Sequence, residues 1–143
     1  MSSYTIDIRE TVPVPRDRVF ALFADHSRFG RILGARVQRV RDSHDSNPNG
    51  VGSVRRIPLA GPLALEETVT GFESGSLIEY TITSKSPVKN HLGRIRFTDT
   101  ADGGTEVHYR ITFDDIVPLT GKPIQSALEK GIRKGIKRVP ELA

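Results

Sequence analysis

The sequence has no cysteine among its 143 residues. Without a thiol, the chain cannot form a disulfide framework, use a thiolate nucleophile or bind a metal ion through sulfur. The histidines, another common class of metal ligand, lie at positions 26, 44, 91 and 108 and show none of the spacings of metal-binding motifs. We interpret the Asp25-His26 pair as a helix cap. The sequence therefore predicts no metal site.

Long apolar runs are also missing. No stretch approaches the roughly 18 residues that a membrane-spanning helix requires. The first residues, MSSYTIDIRETVPVP, lack the basic region and the apolar stretch of a secretion signal. Together with the absence of cysteine, these features favour a cytoplasmic protein. The length is that of a single domain covering residues 1–143.

Three motifs that bind cofactors or activate nucleophiles are absent from the sequence. It contains no GxGxxG, no phosphate-binding loop and no GxSxG nucleophile elbow. We therefore expect no cofactor, and the absence argues against nucleotide-dependent enzymes and the common serine hydrolases.

The net positive charge of the chain comes from its last segment. The formal net charge is +4, and residues 121–143 hold six Lys/Arg but two acidic residues, which leaves positions 1–120 neutral. This basic surface has three interpretations: a solvated face, transient contact with an anionic membrane surface, or nucleic-acid binding. We favour the first. We do not expect nucleic acid as a partner, because no aromatic residues are interleaved for base stacking.

Period-two alternation of apolar and polar residues predicts an antiparallel sheet with one covered face. IEYTITS and EVHYRITF show it most clearly. Proline, glycine and asparagine clusters separate the segments. The predicted strands are 4–12, 36–43, 51–58, 63–72, 77–84, 91–99 and 105–115. Helical spacing predicts two short helices, one after Pro15 and one from Ser27, and a long helix over 123–139.

Gly131 and Gly135 interrupt the long helix, where each glycine costs about 1 kcal/mol relative to alanine. On a helical wheel both fall on the apolar face, so we expect both to face the sheet. Two explanations stay open. The glycines allow very close contact between the helix and the sheet, or they leave room for a ligand in an interior cavity.

Five stretches follow one another in a familiar order: VPVPRDRVFALFADHSRF, GVGSVRRI, LEETVTGFE, LIEYTITS and GGTEVHYRITFD. Their order and spacing over residues 4–139 resemble the START-like helix-grip (SRPBCC) superfamily, and within it the polyketide cyclase/dehydrase-like branch. Relatives commonly carry a tryptophan after the second short helix, where this chain has FGRILG instead.

The resemblance implies an α+β helix-grip fold. In that fold a seven-stranded curved antiparallel sheet, two short helices and a long C-terminal helix enclose a deep apolar cavity. It does not imply one reaction, because the superfamily includes cyclases, hydrolases and carriers of lipids or hormones.

Strand parity selects the polar residues that we expect to face this cavity. Glu67 is the main candidate for a catalytic acid or base, because burial would raise its pKa, although a carboxylate at the rim paired with Arg55 or Arg56 is the simpler interpretation. His91 is a second catalytic candidate, or a solvated residue at a sheet edge. Tyr80 is a candidate hydrogen-bond donor to a ligand.

Further candidates for ligand contact follow from the same parity and from the helical wheel. Tyr109 offers a second hydroxyl group, and Arg55 is either a ligand contact that holds a carboxylate or enolate, or a surface arginine. The remaining predicted ligand-binding residues are apolar or lack a side chain: Ile82, Phe97, Ile111, Leu128, Gly131 and Gly135.

The sequence thus favours binding of a hydrophobic small molecule, lipid-like or polyketide-like, in an interior cavity. The alternative is a polyketide cyclase/dehydratase in which Glu67 or His91 moves protons while Arg55 and Tyr80 stabilise an enolate. No cluster of several inward polar groups is evident, which argues against the enzyme. A third possibility is a protein partner that binds the basic helix. The sequence does not determine the oligomeric state.

Overall fold

Seven strands and four helices follow one another in the computed structural model, which describes residues 2–59 and 62–143. Their order is β1 (Ser3–Val12), α1 (Arg16–Ala24), α2 (His26–Leu33), β2 (Gln38–Arg41), β3 (Val54–Pro58), β4 (Ala64–Glu73), β5 (Leu77–Ile82), β6 (Val88–Asp99), β7 (Thr105–Asp115), α3 (Gly121–Lys137) and α4 (Val139–Leu142).

The strands form one antiparallel sheet in the order β1-β7-β6-β5-β4-β3-β2. β1 and β2 are consecutive strands in the sequence but lie at opposite edges of the sheet, and α1 and α2 connect them. α3 packs along β1 and covers the inner face. The α+β helix-grip prediction, with seven antiparallel strands, two short helices and a long C-terminal helix, is confirmed.

Strand ends differ from the prediction where backbone geometry intervenes. β3 begins at Val54 because residues 51–52 form a turn. β6 begins at Val88, three residues earlier than expected, and its pairing with β7 is interrupted between Lys89 and Leu92. Asn90 has a φ of 53° in this interruption, a conformation that asparagine tolerates better than most residues.

The second short helix starts one residue earlier than predicted. Asp25 is its N-cap, and the Asp25 carboxylate accepts a hydrogen bond from the Arg28 backbone N–H at 3.1 Å. This is the cap expected from Asp25-His26, so Ser27 lies inside the helix. Gly34 ends α2 with a φ of 71°, a left-handed conformation that glycine adopts without strain.

The expectation that both α3 glycines face the sheet is wrong. Gly135 is buried, but it faces α2: a Cβ atom there would overlap the carbonyl oxygen of Ile32. Gly131 is exposed, and a Cβ atom there would meet nothing within 4 Å. Only Gly135 therefore has a packing reason, which is the close approach of α3 to α2.

Aromatic side chains fill one end of the inner face, which we call the packed end. Phe20 and Phe23 of α1 pack edge-to-face against Phe97 of β6, and Phe20 also contacts Phe72 of β4. Ile95, fully buried on β6, belongs to the same core. The cavity described next lies at the other end of the face.

Candidate functional site

A cavity of about 310 Å³ lies between the sheet and the first half of α3. We call this part of the inner face the hollow end. Helices and strands both supply apolar walls, among them Phe29, Leu65, Ile82, Ile111, Ile124 and Leu128. The row Ile124, Leu128 and Ile132 has the i, i+4 spacing that aligns side chains on one helix face.

The cavity opens to solvent between Leu59, which follows β3, and Leu128 of α3. Leu59 and Leu128 line this mouth and are about two-fifths exposed, whereas Tyr109 and Ile111 line the inner wall of the cavity and are buried. A ligand entering here would pass between the β3–β4 connection and α3 before it reaches the sheet.

A buried ion pair lies beneath the hollow end. Arg55 and Glu67 are directly opposite each other on β3 and β4, and Arg55 Nε donates to Glu67 Oε1 at 2.9 Å. Their side chains are 1% and 8% exposed. Arg55 therefore does pair with Glu67, but the prediction of a rim or surface pair is wrong, because β3 and β4 place both side chains on the covered face.

The Arg55 guanidinium is enclosed by two aromatic rings. It lies 4.1 Å from the centre of the Phe29 ring and 4.4 Å from that of Tyr80. Cations are attracted to ring faces, which offsets part of the cost of burying the charge. Arg55 therefore lies behind the cavity wall and is not part of its lining. Its Nη atoms have no hydrogen-bond partner among the described residues.

Two tyrosine hydroxyls meet at the inner wall of the cavity. Tyr80 and Tyr109 share a hydrogen bond and both rings line the cavity. Gly93, directly opposite Tyr80 on β6, makes this placement possible, because a Cβ atom there would overlap the Tyr80 ring. Burial raises the pKa of both phenols, so both remain protonated and able to donate a hydrogen bond at neutral pH.

His91 lines the cavity next to Tyr80, with ring centres 5.4 Å apart. Burial, assisted by the Arg55 charge, lowers the pKa of His91 from 6.5 to about 4. The imidazole is therefore neutral at pH 7. Its Nδ1 atom is buried without a hydrogen-bond partner in the described part of the chain.

Glu67 lines the cavity from β4. Burial raises the pKa of its carboxyl group, and the Arg55 charge and hydrogen bond counteract this only in part. A carboxyl with a raised pKa is a better proton acceptor than one in water, which suits acid–base chemistry.

One buried histidine was not among the sequence candidates for a functional site. His26 Nε2 lies 2.9 Å from Ser53 Oγ, and burial lowers the pKa of His26 to about 3. Ser53 is two residues before Arg55, and the alternation that predicted an inward Arg55 also points Ser53 inward. The pairing with α2, however, depends on the crossing between the sheet edges and has no local sequence signal.

Most sequence candidates line the cavity, namely Glu67, Tyr80, Ile82, His91, Tyr109, Ile111 and Leu128. Phe97 does not. It faces inward as its parity predicted, but α1 covers it and it belongs to the packed end. Gly131 and Gly135 lie outside the lining for the reasons given above. Phe29 and Ile124 also line the cavity; helical spacing places both on apolar faces but does not distinguish cavity lining from packed core.

Residues 2–59 and 62–143 contain no group of three His, Asp or Glu side chains placed to hold a metal ion. In the same residues, no helix is long and apolar enough to cross a membrane.

Solved structures with this architecture include proteins of diverse kinds. Ara h 8.0201 superposes with a TM-score of 0.72, 16% identity, and coverage of 99% of this chain and 98% of that chain. A protein of Nitrosospira multiformis superposes with a TM-score of 0.71 and 12% identity, over 95% of this chain and 96% of that chain. Truncated norcoclaurine synthase from Thalictrum flavum superposes with a TM-score of 0.72 and 12% identity, over 96% of this chain and 93% of that chain. At these identities the likeness shows the fold alone.

No curated protein matches the sequence significantly. A family match, in contrast, extends over residues 4–143, nearly the whole chain. The matched family is described as polyketide cyclase / dehydrase and lipid transport. By this match, together with the helix-grip fold and the cavity beneath α3, the chain belongs to the polyketide cyclase / dehydrase and lipid transport family.

Proposed function

We propose that this protein binds an apolar small molecule in the cavity at the hollow end. The observation that carries the proposal is the cavity itself, about 310 Å³ with walls that are almost entirely aliphatic and aromatic. Ligand pockets in proteins start at about 300 Å³, so this one suits a single small ligand. Burial of apolar ligand surface contributes about 25 cal/mol per Å².

The polar groups at the inner wall favour a ligand that also carries an uncharged polar group. Tyr80 and Tyr109 offer phenolic hydroxyls, and neutral His91 offers a ring nitrogen. The Glu67 carboxylate in the lining would repel an anionic ligand, while the Arg55 charge is paired and covered by rings. A hydroxyl or ketone fits this wall better than a carboxylate does.

Titration with an uncharged, hydrophobic fluorescent probe tests the proposal. We expect saturable binding at one site per chain, with displacement by long-chain alcohols. Ala127 borders the cavity from an exposed position on α3, so Ala127→Trp places a large ring at the edge of the cavity and should weaken binding at least about tenfold. Ser126→Trp, on the neighbouring exposed position outside the lining, is the matched control.

The natural chain has no tryptophan, so each variant contains a single fluorophore that reports its own surroundings. A blue-shifted emission in Ala127→Trp, with normal emission in Ser126→Trp, would show that only the first ring enters the cavity. Equal probe affinity in both variants under these conditions would remove the proposal.

An enzymatic role is the second candidate, and a specific observation favours it. Arg55, Glu67, Tyr80, His91 and Tyr109 meet at the inner wall, so the cluster of polar groups that the sequence did not reveal is present. In a cyclisation or dehydration, the Glu67 carboxylate would accept a proton from the carbon next to a carbonyl group.

The tyrosine hydroxyls would donate hydrogen bonds to the resulting enolate oxygen, whose negative charge they stabilise. For dehydration, protonated Glu67 would return its proton to the leaving hydroxyl as water departs, which restores the carboxylate. Glu67→Gln keeps an oxygen that can accept from Arg55 but cannot accept the substrate proton.

With a polyketide-like substrate, Glu67→Gln should therefore abolish turnover and leave probe binding intact. Tyr109→Phe should slow turnover by about 10²-fold, the usual effect of losing one oxyanion donor. Unchanged turnover in Glu67→Gln would exclude this assignment without affecting the binding proposal.

A further inference from the structure

Exposed apolar side chains are concentrated around the cavity mouth. Of nine large apolar residues exposed in residues 2–59 and 62–143, six lie at this end of the molecule. They belong to the β3–β4 connection, the β7–α3 connection and α3, and are Leu59, Leu63, Ile116, Val117, Leu119 and Leu128. The two connections lie at the same end because strands β3, β5 and β7 all finish there.

Leu119 combines exposure with an unfavourable backbone conformation. Leu119 is 89% exposed and its φ is 72°, in the left-handed region where residues other than glycine and asparagine are rare. Packing does not explain a leucine here, since the side chain has almost no protein contact. Contact with a surface outside the protein would explain both the exposure and the backbone conformation of Leu119.

The same end carries positive charge. Lys85, Lys89 and Lys122 are exposed beside the mouth, and residues 58–63, 83–89 and 116–122 contain no acidic residue. Among the carboxylates beside these segments, Asp115 is buried, and Asp114 accepts hydrogen bonds from Ser3 and Asn90. Glu66, whose backbone N–H donates to Ser84 Oγ, is half-buried. Apolar side chains flanked by lysines complement a surface that is negatively charged outside and apolar just beneath.

We infer that the mouth end, defined by residues 58–59, 62–63, 83–89 and 116–122, docks on an anionic lipid bilayer. The leucines and Val117 enter the interface, and the lysines contact the lipid headgroups. In this orientation the cavity mouth faces the bilayer. An apolar ligand then passes between membrane and cavity without crossing water.

Co-sedimentation of the full chain with vesicles tests this inference and requires no cavity ligand. We expect binding to vesicles of phosphatidylcholine with about 30% phosphatidylglycerol, weakening as salt rises, and little binding to phosphatidylcholine alone. Leu119→Gly relieves the backbone conformation, so it should keep or raise the unfolding temperature while weakening vesicle binding about tenfold.

A matched pair of valines separates position from composition. Val117 and Val40 are 57% and 49% exposed, but Val117 follows β7, whereas Val40 lies on β2, at the opposite edge of the sheet from β1 and β7. Val117→Ser should reduce vesicle binding about threefold and Val40→Ser should leave it unchanged. Replacing Lys85, Lys89 and Lys122 together by glutamine should reduce it by at least about tenfold.

Three results would overturn the inference. The first is no binding of the natural chain to anionic vesicles. The second is equal effects of Val117→Ser and Val40→Ser. The third is a larger effect from replacing Lys130, Lys134 and Lys137 by glutamine, which would place the outer face of α3 on the bilayer. Self-association that Val117→Ser abolishes, without vesicle binding, would instead assign the surface to a second copy of the chain.

Discussion

The packed end and the hollow end of the inner face differ in what covers them, although the same strands build both. At the packed end, Phe20 and Phe23 of α1 lie 5.2 Å from the Phe97 ring. At the hollow end, α3 presents Ile124 and Leu128, and the space beyond them stays open. Strand alternation therefore determines which side chains face inward, and the covering helix determines whether they are packed or line a cavity.

The two ends also differ in polarity. The packed end is apolar and aromatic, whereas the hollow end has a buried Arg–Glu pair and two hydroxyls against its wall. Even a well-paired buried ion pair contributes little more stability than apolar side chains of similar volume, so its presence next to a cavity suits a binding or chemical role better than a structural one.

Breaking the buried ion pair should have the largest effect. Glu67→Ala leaves Arg55 buried and unpaired, which should lower the free energy of unfolding by about 3–5 kcal/mol. Glu79→Ala breaks the partly exposed Arg94–Glu79 pair on neighbouring strands and should cost at most about 1 kcal/mol. Urea denaturation measures both, and similar losses would contradict the assignment of Arg55–Glu67 as buried.

Truncating isoleucines at the two ends should separate them. Ile95→Ala creates a new void in the packed end and should cost about 2–5 kcal/mol. Ile82 already borders the cavity, so Ile82→Ala only enlarges an existing space and should cost about 1 kcal/mol. Equal losses in urea denaturation would mean that the hollow end is as tightly packed as the other.

Acidification should destabilise the protein through His26 and His91, whose pKa values burial lowers. The folded pKa values of His26 and His91, about 3 and about 4, lie below the unfolded value of 6.5. The unfolded chain therefore binds more protons in this window, so the contribution is complete above pH 6.5 and is lost as pH falls toward 4. Each histidine should contribute about 1.4 kcal/mol per pH unit there.

Unfolding free energies at pH 4.5 and 6.5 measure this contribution. His91→Asn should make stability less pH-dependent, whereas His44→Asn, at an exposed position, should leave the dependence unchanged. The same pH dependence in His91→Asn as in the natural chain would show that His91 is not held neutral against the cavity.

Glycine replacement in α3 should give the smallest effects, and they should have opposite signs. Gly131→Ala should raise the free energy of unfolding by about 0.5–1 kcal/mol, because alanine favours the helix and meets no neighbour. Gly135→Ala should lower it, because the added Cβ overlaps the backbone of Ile32. Chemical denaturation that finds stabilisation at both positions would contradict the close approach of α3 to α2.

Strand parity allowed much of the site to be predicted from sequence. Alternation placed Glu67, Tyr80, His91 and Ile111 on the inner face, where all four line the cavity. Parity is a local property of the extended backbone, so each strand provides it independently. For the same reason it assigned Phe97 to the inner face but could not tell which helix covers it.

Long-range register accounts for what the sequence did not reveal. The burial of the Arg55–Glu67 pair, the choice of Arg55 over Arg56 as the partner of Glu67, and the Tyr80–Gly93 contact each depend on how two strands align. The helical wheel placed Gly131 and Gly135 on one broad face of α3. The rotation of α3 about its own axis, which tertiary packing sets, determines which neighbour each glycine meets. The polar cluster therefore becomes evident only once the strands are paired.

Thermal unfolding with a neutral apolar ligand is the decisive test of ligand binding in the cavity at the hollow end. A ligand that binds only the folded chain raises the unfolding temperature as its concentration rises, by mass action. We predict such a rise for the natural chain and for Ser126→Trp, and a much smaller rise for Ala127→Trp. An unfolding temperature that stays constant with every long-chain alcohol and ketone tried, at concentrations up to solubility, would contradict a ligand-binding cavity at the hollow end.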